Sequence, residues 1–258
     1  MLEYVIIPAV ALVASLLAFY SGFGLGTILL PAVAIFFPVN IAIALTALVH
    51  LLNHLFRLTL VAKHADRGII LRFGLVAVAA SFAGAQLLTR VTVLKQLFSY
   101  QLLGKTFAVT PVKLTVAVMI IFFSLWEALP QLQKISFSRK YLPLGGLLSG
   151  FFGGFSGQQG PMRSAFLIKS GLGKESYIAT NTVIAVMVDI TRLAVYFTSF
   201  SLVSAERNAV LIAITTAAGF AGALLGNFWL KKVTMRVIQV MVAVMLLGIG
   251  LALGSGLI

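Results

Sequence analysis

The chain has 258 residues, of which 60% are hydrophobic and only 10% are charged, and its mean hydropathy is +1.09. Because a soluble domain carries about 25% charged residues, this composition excludes an ordinary soluble protein and predicts an all-α, polytopic helical membrane protein. The formal charge of +13 comes mostly from Lys and Arg between apolar runs. Cytoplasmic loops usually carry such residues, so the charge indicates membrane topology rather than nucleic-acid binding.

The first predicted element is a glycine-broken helical hairpin over residues 5–37. Its break stands in LLAFYSGFGLGTILLP, Leu16 to Pro31, and the apolar piece Ile28 to Phe37 covers only about 15 Å, half a bilayer. We therefore expect a re-entrant hairpin, because irregular backbone is tolerated at that depth only where protein or a water-filled cavity satisfies it. The candidate substrate-binding residues in this break are Gly24, Gly26 and Thr27.

Three long helices are predicted next, at about 41–62, 68–88 and 110–129. The first contains ALTALVHLLNHLFR, in which Thr46 and Asn53 either complete a substrate cavity or form interhelical hydrogen bonds. His50 and His54 lie one turn apart and either carry protons or pack as hydrogen-bonded side chains. No metal is predicted there, because no cysteine and few carboxylates are available to complete a site. Arg57 is either a counter-charge or a side chain that reaches the membrane interface.

The two halves of the chain are joined by a basic linker over residues 130–142, which we expect to be cytoplasmic. The N-terminal repeat then covers residues 1–129 and the C-terminal repeat covers residues 143–258. A second long connection, Val91 to Pro111, is predicted to lie on the membrane surface.

The second half begins with another broken hairpin, predicted over residues 143–171, whose break is LLSGFFGGFSGQQGP. A helix start has unpaired N–H groups and a partial positive charge, so two such ends near the midplane predict an anion site. Gln158 and Gln159 add side-chain amides beside Gly157. Arg163 would lie deep in the membrane, one turn from the glutamines, where a guanidinium matches an oxyanion.

Three further helices are predicted at about 176–202, 207–230 and 235–257. The first contains Thr180 and Asn181, which are further candidates for the substrate cavity. It also contains Asp189 and Arg192, which share one helix face. This charged pair is either a structural ion pair or a proton-coupling carboxylate beside a counter-charge for an anion, and ionisable groups in membrane segments indicate function by default.

The order of these elements indicates an internal duplication. A shift of 135 residues places His54 on Asp189 and Arg57 on Arg192, so both pairs would lie near one pseudo-symmetry axis. With two re-entrant hairpins, each half crosses the membrane three times, and the halves become inverted repeats of the kind common in secondary transporters. The excess of basic residues on the linker side then predicts a non-cytoplasmic N-terminus.

The two breaks also resemble the motifs of a known family. The segment GFGLGTILLP, Gly22 to Pro31, is similar to the GxGGG-x4-P pattern of the TauE/SafE membrane permeases, also called the sulfite exporter or TSUP family. GGFSGQQGP, Gly153 to Pro161, resembles their second-repeat pattern, GGLxGxGGP. The chain departs from these patterns at Leu25, Gln158 and Gln159. The resemblance implies transport of a small sulfur-containing anion, and it implies that the glycine breaks line the site.

These observations predict a multi-pass secondary transporter of the cell membrane that moves a small anion by alternating access. The resemblance implies sulfite, an organosulfonate or a sulfur-containing carboxylate as the anion. The expected partners are this anion, the lipid bilayer and protons as a coupling ion; no nucleic acid and no cofactor are predicted, and the oligomeric state stays open. Two alternatives also stay open, namely an anion channel of the same fold and, less favoured, an intramembrane enzyme, for which no nucleophile–base set or HExxH motif is visible.

Overall fold

A computed structural model describes residues 1–21, 25–199, 208–229 and 235–258 and consists mostly of α-helix, as the composition predicts. The helices are α1 (Glu3–Ser21), α2 (Leu25–Ala34), α3 (Val39–Val61), α4 (Arg67–Thr92), α5 (Pro111–Ala128), α6 (Leu142–Ser156), α7 (Gly160–Leu167), α8 (Lys174–Ser199), α9 (Ala209–Trp229) and α10 (Met235–Gly254). A short helix, Pro130–Gln133, lies in the linker. Gly24, one of the predicted substrate-binding residues, lies outside the described residues.

Local sequence explains where several of these helices begin and end. The carboxylate of Asp66 accepts a hydrogen bond from the backbone N–H of Ile69 at 2.8 Å, so it caps the start of α4. Thr110 caps α5, whose first residue is proline, which needs no N–H partner there. Gly157 ends α6 in the left-handed region, with φ 80°, a conformation that glycine adopts without steric cost.

Three helical segments of the described chain are long and apolar enough to cross a membrane. They are Val39–Thr59, Arg67–Thr92 and Lys174–Ser199. Shorter apolar helical segments accompany them, at Glu3–Leu16, Leu25–Ala34, Pro111–Trp126, Ala209–Leu225 and Val242–Gly254. A helix satisfies its own backbone groups, which is why apolar segments of this kind are stable in lipid.

Small residues allow α4 and α6 to pack with their backbones almost in contact. A Cβ atom added at Gly150 would overlap the backbone of Ala77, and one added at Gly154 would overlap the carbonyl oxygen of Ser81. Glycines at four-residue spacing on one helix face are a common means of close helix packing in membranes. These glycines therefore fix how the second broken element lies against α4.

Alanine at Gly154 is expected to destabilise the protein, because its methyl group has no room against the α4 backbone. Overpacking of this kind costs about 1–3 kcal/mol or more, so the midpoint of thermal unfolding in detergent should fall by about 5 °C. Gly248→Ala is the matched control, since apart from the adjacent backbone of its own helix no described atom lies within 4 Å of the added carbon. Equal midpoints for the two variants would contradict this packing.

The other main helix pairs complete the bundle. α1 packs chiefly along α9, where Gly222 meets the backbone of Leu12, and α5 packs along α10. α3 packs against α8 at the centre of the molecule, and this contact contains buried polar side chains from both helices. The crossing of α3 and α8 is therefore where polar chemistry is concentrated.

The connection between α4 and α5 contains a β-hairpin, which the all-α prediction did not include. Strands β1 (Phe98–Leu102) and β2 (Lys105–Val109) are antiparallel, with Leu102 paired to Lys105 across a two-residue turn. Both turn residues, Leu103 and Gly104, have positive φ (50° and 74°), as in a type I′ turn. The alternation of apolar and polar residues in FSYQL was the sequence signal for a strand.

Candidate functional site

One buried carboxylate joins α3 to α8 at the centre of the molecule. The Nδ1 atom of His50 lies 2.7 Å from Oδ2 of Asp189, and Nδ1 of His54 lies 3.4 Å from the same oxygen. The other carboxylate oxygen, Oδ1, accepts from Nε of Arg192 at 2.9 Å and lies 2.7 Å from Nη2. All four side chains are buried, and we call them the carboxylate cluster.

The hydrogen bonds of the carboxylate cluster assign the histidine tautomers. Nδ1 of His54 lies 3.1 Å from the carbonyl oxygen of His50, and a carbonyl only accepts, so Nδ1 of His54 has the hydrogen. Nδ1 of His50 faces an ionised carboxylate and donates for the same reason. The Nε2 atom of each ring is therefore the atom that can take up a further proton.

The start of α2 and the end of α6 meet beside His50. A carbon added at Gly26, in the first turn of α2, would lie 3.8 Å from Nε2 of His50 and 3.8 Å from the carbonyl oxygen of Gly157. Arg192 lies on the other side of Gly157, where an added Cβ would overlap Nη1. Because the C-terminal end of a helix is partially negative, Arg192 is neutralised both by Asp189 and by the end of α6.

Arg163 forms a second polar group, which contains no carboxylate. The guanidinium donates through Nε to Oδ1 of Asn181, and through Nη1 to Oε1 of Gln159 at 2.9 Å. Its side chain is only 4% exposed, and no carboxylate of the described side chains forms an ion pair with it. We call Arg163, Gln159 and Asn181 the arginine–amide cluster.

Several polar atoms at the second break have no hydrogen-bond partner among the described residues. They are both amide atoms of Gln158 and Nε2 of Gln159, and both side chains are almost fully buried. A buried polar group without a partner costs about 1–3 kcal/mol. The break therefore has unused capacity to bind a polar ligand.

Two residues near the second break were not predicted from the sequence. Ser149 donates to the carbonyl oxygen of Gln159 at 3.2 Å and braces the break from α6. Tyr196 donates to the carbonyl oxygen of Gly154. Tyr196 lies one helical turn after Arg192, and this spacing on a polar helix face was the signal that could have identified it.

Two predicted cavity residues on α3 lie away from the arginine–amide cluster. Thr46 lines a small cavity with Thr215 of α9, and neither hydroxyl has a hydrogen-bond partner among the described residues. Asn53 donates to the carbonyl oxygen of Val49 at 2.9 Å, and its amide packs against Gly219 of α9.

Three further predicted residues have other surroundings. The hydroxyl of Thr180 accepts from the backbone N–H of Asp66 at 2.8 Å, so it ties α8 to the start of α4. Thr27 is buried in the first turn of α2, and Arg57 is half-buried near the end of α3.

The structure brings the carboxylate of Asp189 to both histidines, where the sequence predicted His54 and Asp189 near one axis but no metal. One ligand atom from each of His50, His54 and Asp189 lies within 4.8 Å of the others, a spacing that could hold a metal ion. Arg192 binds the same carboxylate, however, and Arg163 lies nearby. The two positive guanidinium groups repel a divalent cation and so disfavour its binding. The donor set therefore fits a proton better than a metal ion.

Comparison with known proteins gives one match. The model of the family described as "Sulfite exporter TauE/SafE" matches residues 7–253, nearly the whole chain. Searches of curated proteins and of solved structures found no match. The family match confirms the resemblance of the glycine motifs, and with the apolar helices it indicates a multi-pass membrane transporter for a small anion. The chain belongs to the TauE/SafE sulfite exporter family.

Proposed function

We propose that this protein is a secondary transporter that binds sulfite or an organosulfonate at the arginine–amide cluster, beside the break between α6 and α7. The observation that supports this most is Arg163, a buried cation whose hydrogen-bond partners are neutral amides. Burial of an unpaired charge is costly. An anionic substrate would supply the missing negative charge.

The other buried cation of the site already has its counter-charge. Arg192 forms an ion pair with Asp189, to which it donates through Nε, and it lies at the C-terminal end of α6. We therefore assign Arg192 to holding α8 against the second break, and we assign Arg163 to the substrate.

The hydrogen bonds of Arg163 also orient the neighbouring amides. Gln159 and Asn181 both accept through oxygen, so their NH₂ groups are left to donate to a ligand. The amide nitrogen of Gln158 adds a further donor without a partner. A site rich in donors suits the oxygens of an ionised sulfite or sulfonate, and a sulfur-containing carboxylate meets the same requirement.

We further propose that the two halves are inverted repeats and that each begins with a re-entrant hairpin. In this arrangement α1–α2 corresponds to α6–α7, α3 to α8, α4 to α9 and α5 to α10. The packing supports it, because α1 lies on α9 and α6 lies on α4, while the corresponding helices α3 and α8 pack on each other, as do α5 and α10. The N-terminus would then be non-cytoplasmic and the linker cytoplasmic, and rocking of the two halves would expose the site alternately.

Proton coupling, in this proposal, acts through His50. Its Nε2 atom faces the point where the start of α2 and the end of α6 meet, so a proton taken up there would add a donor and a positive charge next to the anion. The charged and titratable groups around His50 are Asp189 and Arg192 of α8, Arg163 of α7, and His54 on its own helix. Proton uptake at His50 and anion binding would therefore favour each other.

His50→Asn is expected to make transport insensitive to an imposed proton gradient. The asparagine amide can still donate to Asp189 but cannot take up a proton, so flux should persist at a reduced rate without gradient stimulation. The control is His64→Asn, since His64 is exposed and lies 3.4 Å from Glu175, outside the site. Gradient stimulation that survives in His50→Asn would exclude His50 as the coupling group.

The proposed function can be tested by uptake of radiolabelled sulfite and of a short sulfonate into proteoliposomes, with and without a proton gradient. Saturable, gradient-sensitive flux is the expected result for a coupled carrier. Flux that does not saturate would indicate an anion channel instead. No flux of either anion would contradict the proposed substrate class.

A further inference from the structure

The β-hairpin between α4 and α5 exposes an unusual number of large apolar side chains. Leu103, at its turn, is 95% exposed, and Val93, just before β1, is 81% exposed. Four more apolar residues of the same segment are also exposed, namely Leu94, Leu97, Phe98 and Leu102. Such a patch would be costly in water and therefore indicates a binding surface.

The two faces of the hairpin differ in polarity. Side chains alternate along a strand, so Phe98, Tyr100 and Leu102 share one face with their partners Val109, Phe107 and Lys105, and this face is apolar except for Lys105. The opposite face presents polar residues, Ser99, Gln101 and Thr106, together with Ala108. The hairpin is therefore amphipathic.

Only part of the apolar face is covered by the protein itself. The hydroxyl of Tyr100 donates to the carbonyl oxygen of Ser255 at 2.8 Å, and Gly256 packs on Ala108 and Val109. These contacts fix the base of the hairpin to the end of α10. The turn with Leu103 extends beyond this contact, and Phe98 at the base is still 58% exposed.

The hairpin leads directly into a helix, α5, that also exposes apolar side chains. The hairpin connects the end of α4 to the start of α5, so it lies at the membrane ends of both helices. α5 itself exposes an apolar stripe at helical spacing, Leu114, Val118, Phe122 and Leu125. Basic side chains, Arg90, Lys95 and Lys105, are exposed around the patch.

We propose that the hairpin, residues 93–109, is an interfacial lipid-binding element that takes an anionic phospholipid. Its apolar turn inserts below the headgroups, and Lys95, Lys105 and Arg90 bind the lipid phosphate. Apolar side chains flanked by Lys and Arg are the combination that binds anionic membrane surfaces. A soluble protein partner would not explain why the hairpin leads into a helix that also exposes apolar side chains.

Insertion can be measured by tryptophan fluorescence in vesicles that contain brominated phospholipid. In a background with Trp126→Phe and Trp229→Phe, we expect bromine to quench Leu103→Trp at least threefold more than Thr106→Trp, which reports on the polar face. Leu102→Trp provides a second reporter that avoids the positive φ at the turn. Equal quenching on the two faces, or apolar-face reporters that remain open to aqueous acrylamide, would overturn the proposal.

The preference for an anionic lipid can be tested by removing the charges of the hairpin lysines. Lys95→Gln combined with Lys105→Gln should retain at least threefold less phosphatidylglycerol than the wild type when the purified protein is analysed by native mass spectrometry. The matched control is Lys134→Gln with Lys140→Gln, two exposed lysines of the linker. Equal retention by both double variants would exclude the hairpin as the anionic-lipid site.

Discussion

Arg163→Ala is expected to raise the dissociation constant for sulfite by about 30-fold or more. Loss of one partner from a buried, charge-assisted contact costs about 2–5 kcal/mol of binding free energy. Each 1.4 kcal/mol raises the dissociation constant about tenfold. The variant removes the guanidinium of Arg163, which is buried and has no carboxylate partner among the described side chains. It also releases Gln159 and Asn181 from the hydrogen bonds that orient them. Equilibrium binding of radiolabelled sulfite to detergent-purified protein measures the effect.

Two further variants make this result specific to the site. Arg163→Lys keeps the charge but loses the planar fork, so its affinity should lie between those of the wild type and the alanine variant. Gln159→Ala should weaken binding to a smaller extent, because it removes one amide donor. Arg139→Ala, in the exposed linker, controls for the loss of an arginine as such. Unchanged affinity in both Arg163→Ala and Gln159→Ala would refute the proposed site.

Asp189→Asn is expected to have the largest effect on the stability of the protein. The change leaves Arg192 buried without the carboxylate that forms its ion pair. Breaking a buried ion pair in this way costs about 3–5 kcal/mol. The purified variant should therefore aggregate, or unfold at a much lower temperature than the wild type.

A double variant distinguishes a structural ion pair from a functional one. Asp189→Asn with Arg192→Gln removes both charges and should recover most of the lost thermal stability. If the carboxylate takes part in coupling, the double variant should fold yet transport without response to a proton gradient. Recovery of gradient-stimulated transport along with stability would show that the pair serves only to hold the fold.

Much of the fold was predictable because it follows from local sequence. Long apolar runs require helices in a membrane, and Gly157 with its neighbours marks a point where a helix ends. The same motifs indicated the family that the whole-chain match shows. The β-hairpin was missed because each strand has only 5 residues, so the alternation in FSYQL is short and the segment as a whole resembles a surface connection.

The candidate site was less predictable, because its contacts join residues that are far apart in the chain. His50 and Asp189 are separated by 139 positions, and nothing in either helix alone indicates that they meet. The sequence placed Arg163 near the glutamines, but it could not show that Asn181 would accept from it. Local reasoning likewise could not show that the hydroxyl of Thr180 accepts from the backbone N–H of Asp66, 114 positions away.

The packing of α1 on α9 and of α4 on α6 has a consequence for how the protein is made. Each of these pairs joins a helix that precedes the linker to one that follows it. The ribosome completes α1 and α4 before their main partners exist, so both helices must remain in the bilayer with their packing faces open during synthesis. Final assembly therefore begins only after the linker has been translated, and a chain interrupted there would be a substrate for membrane chaperones and proteases.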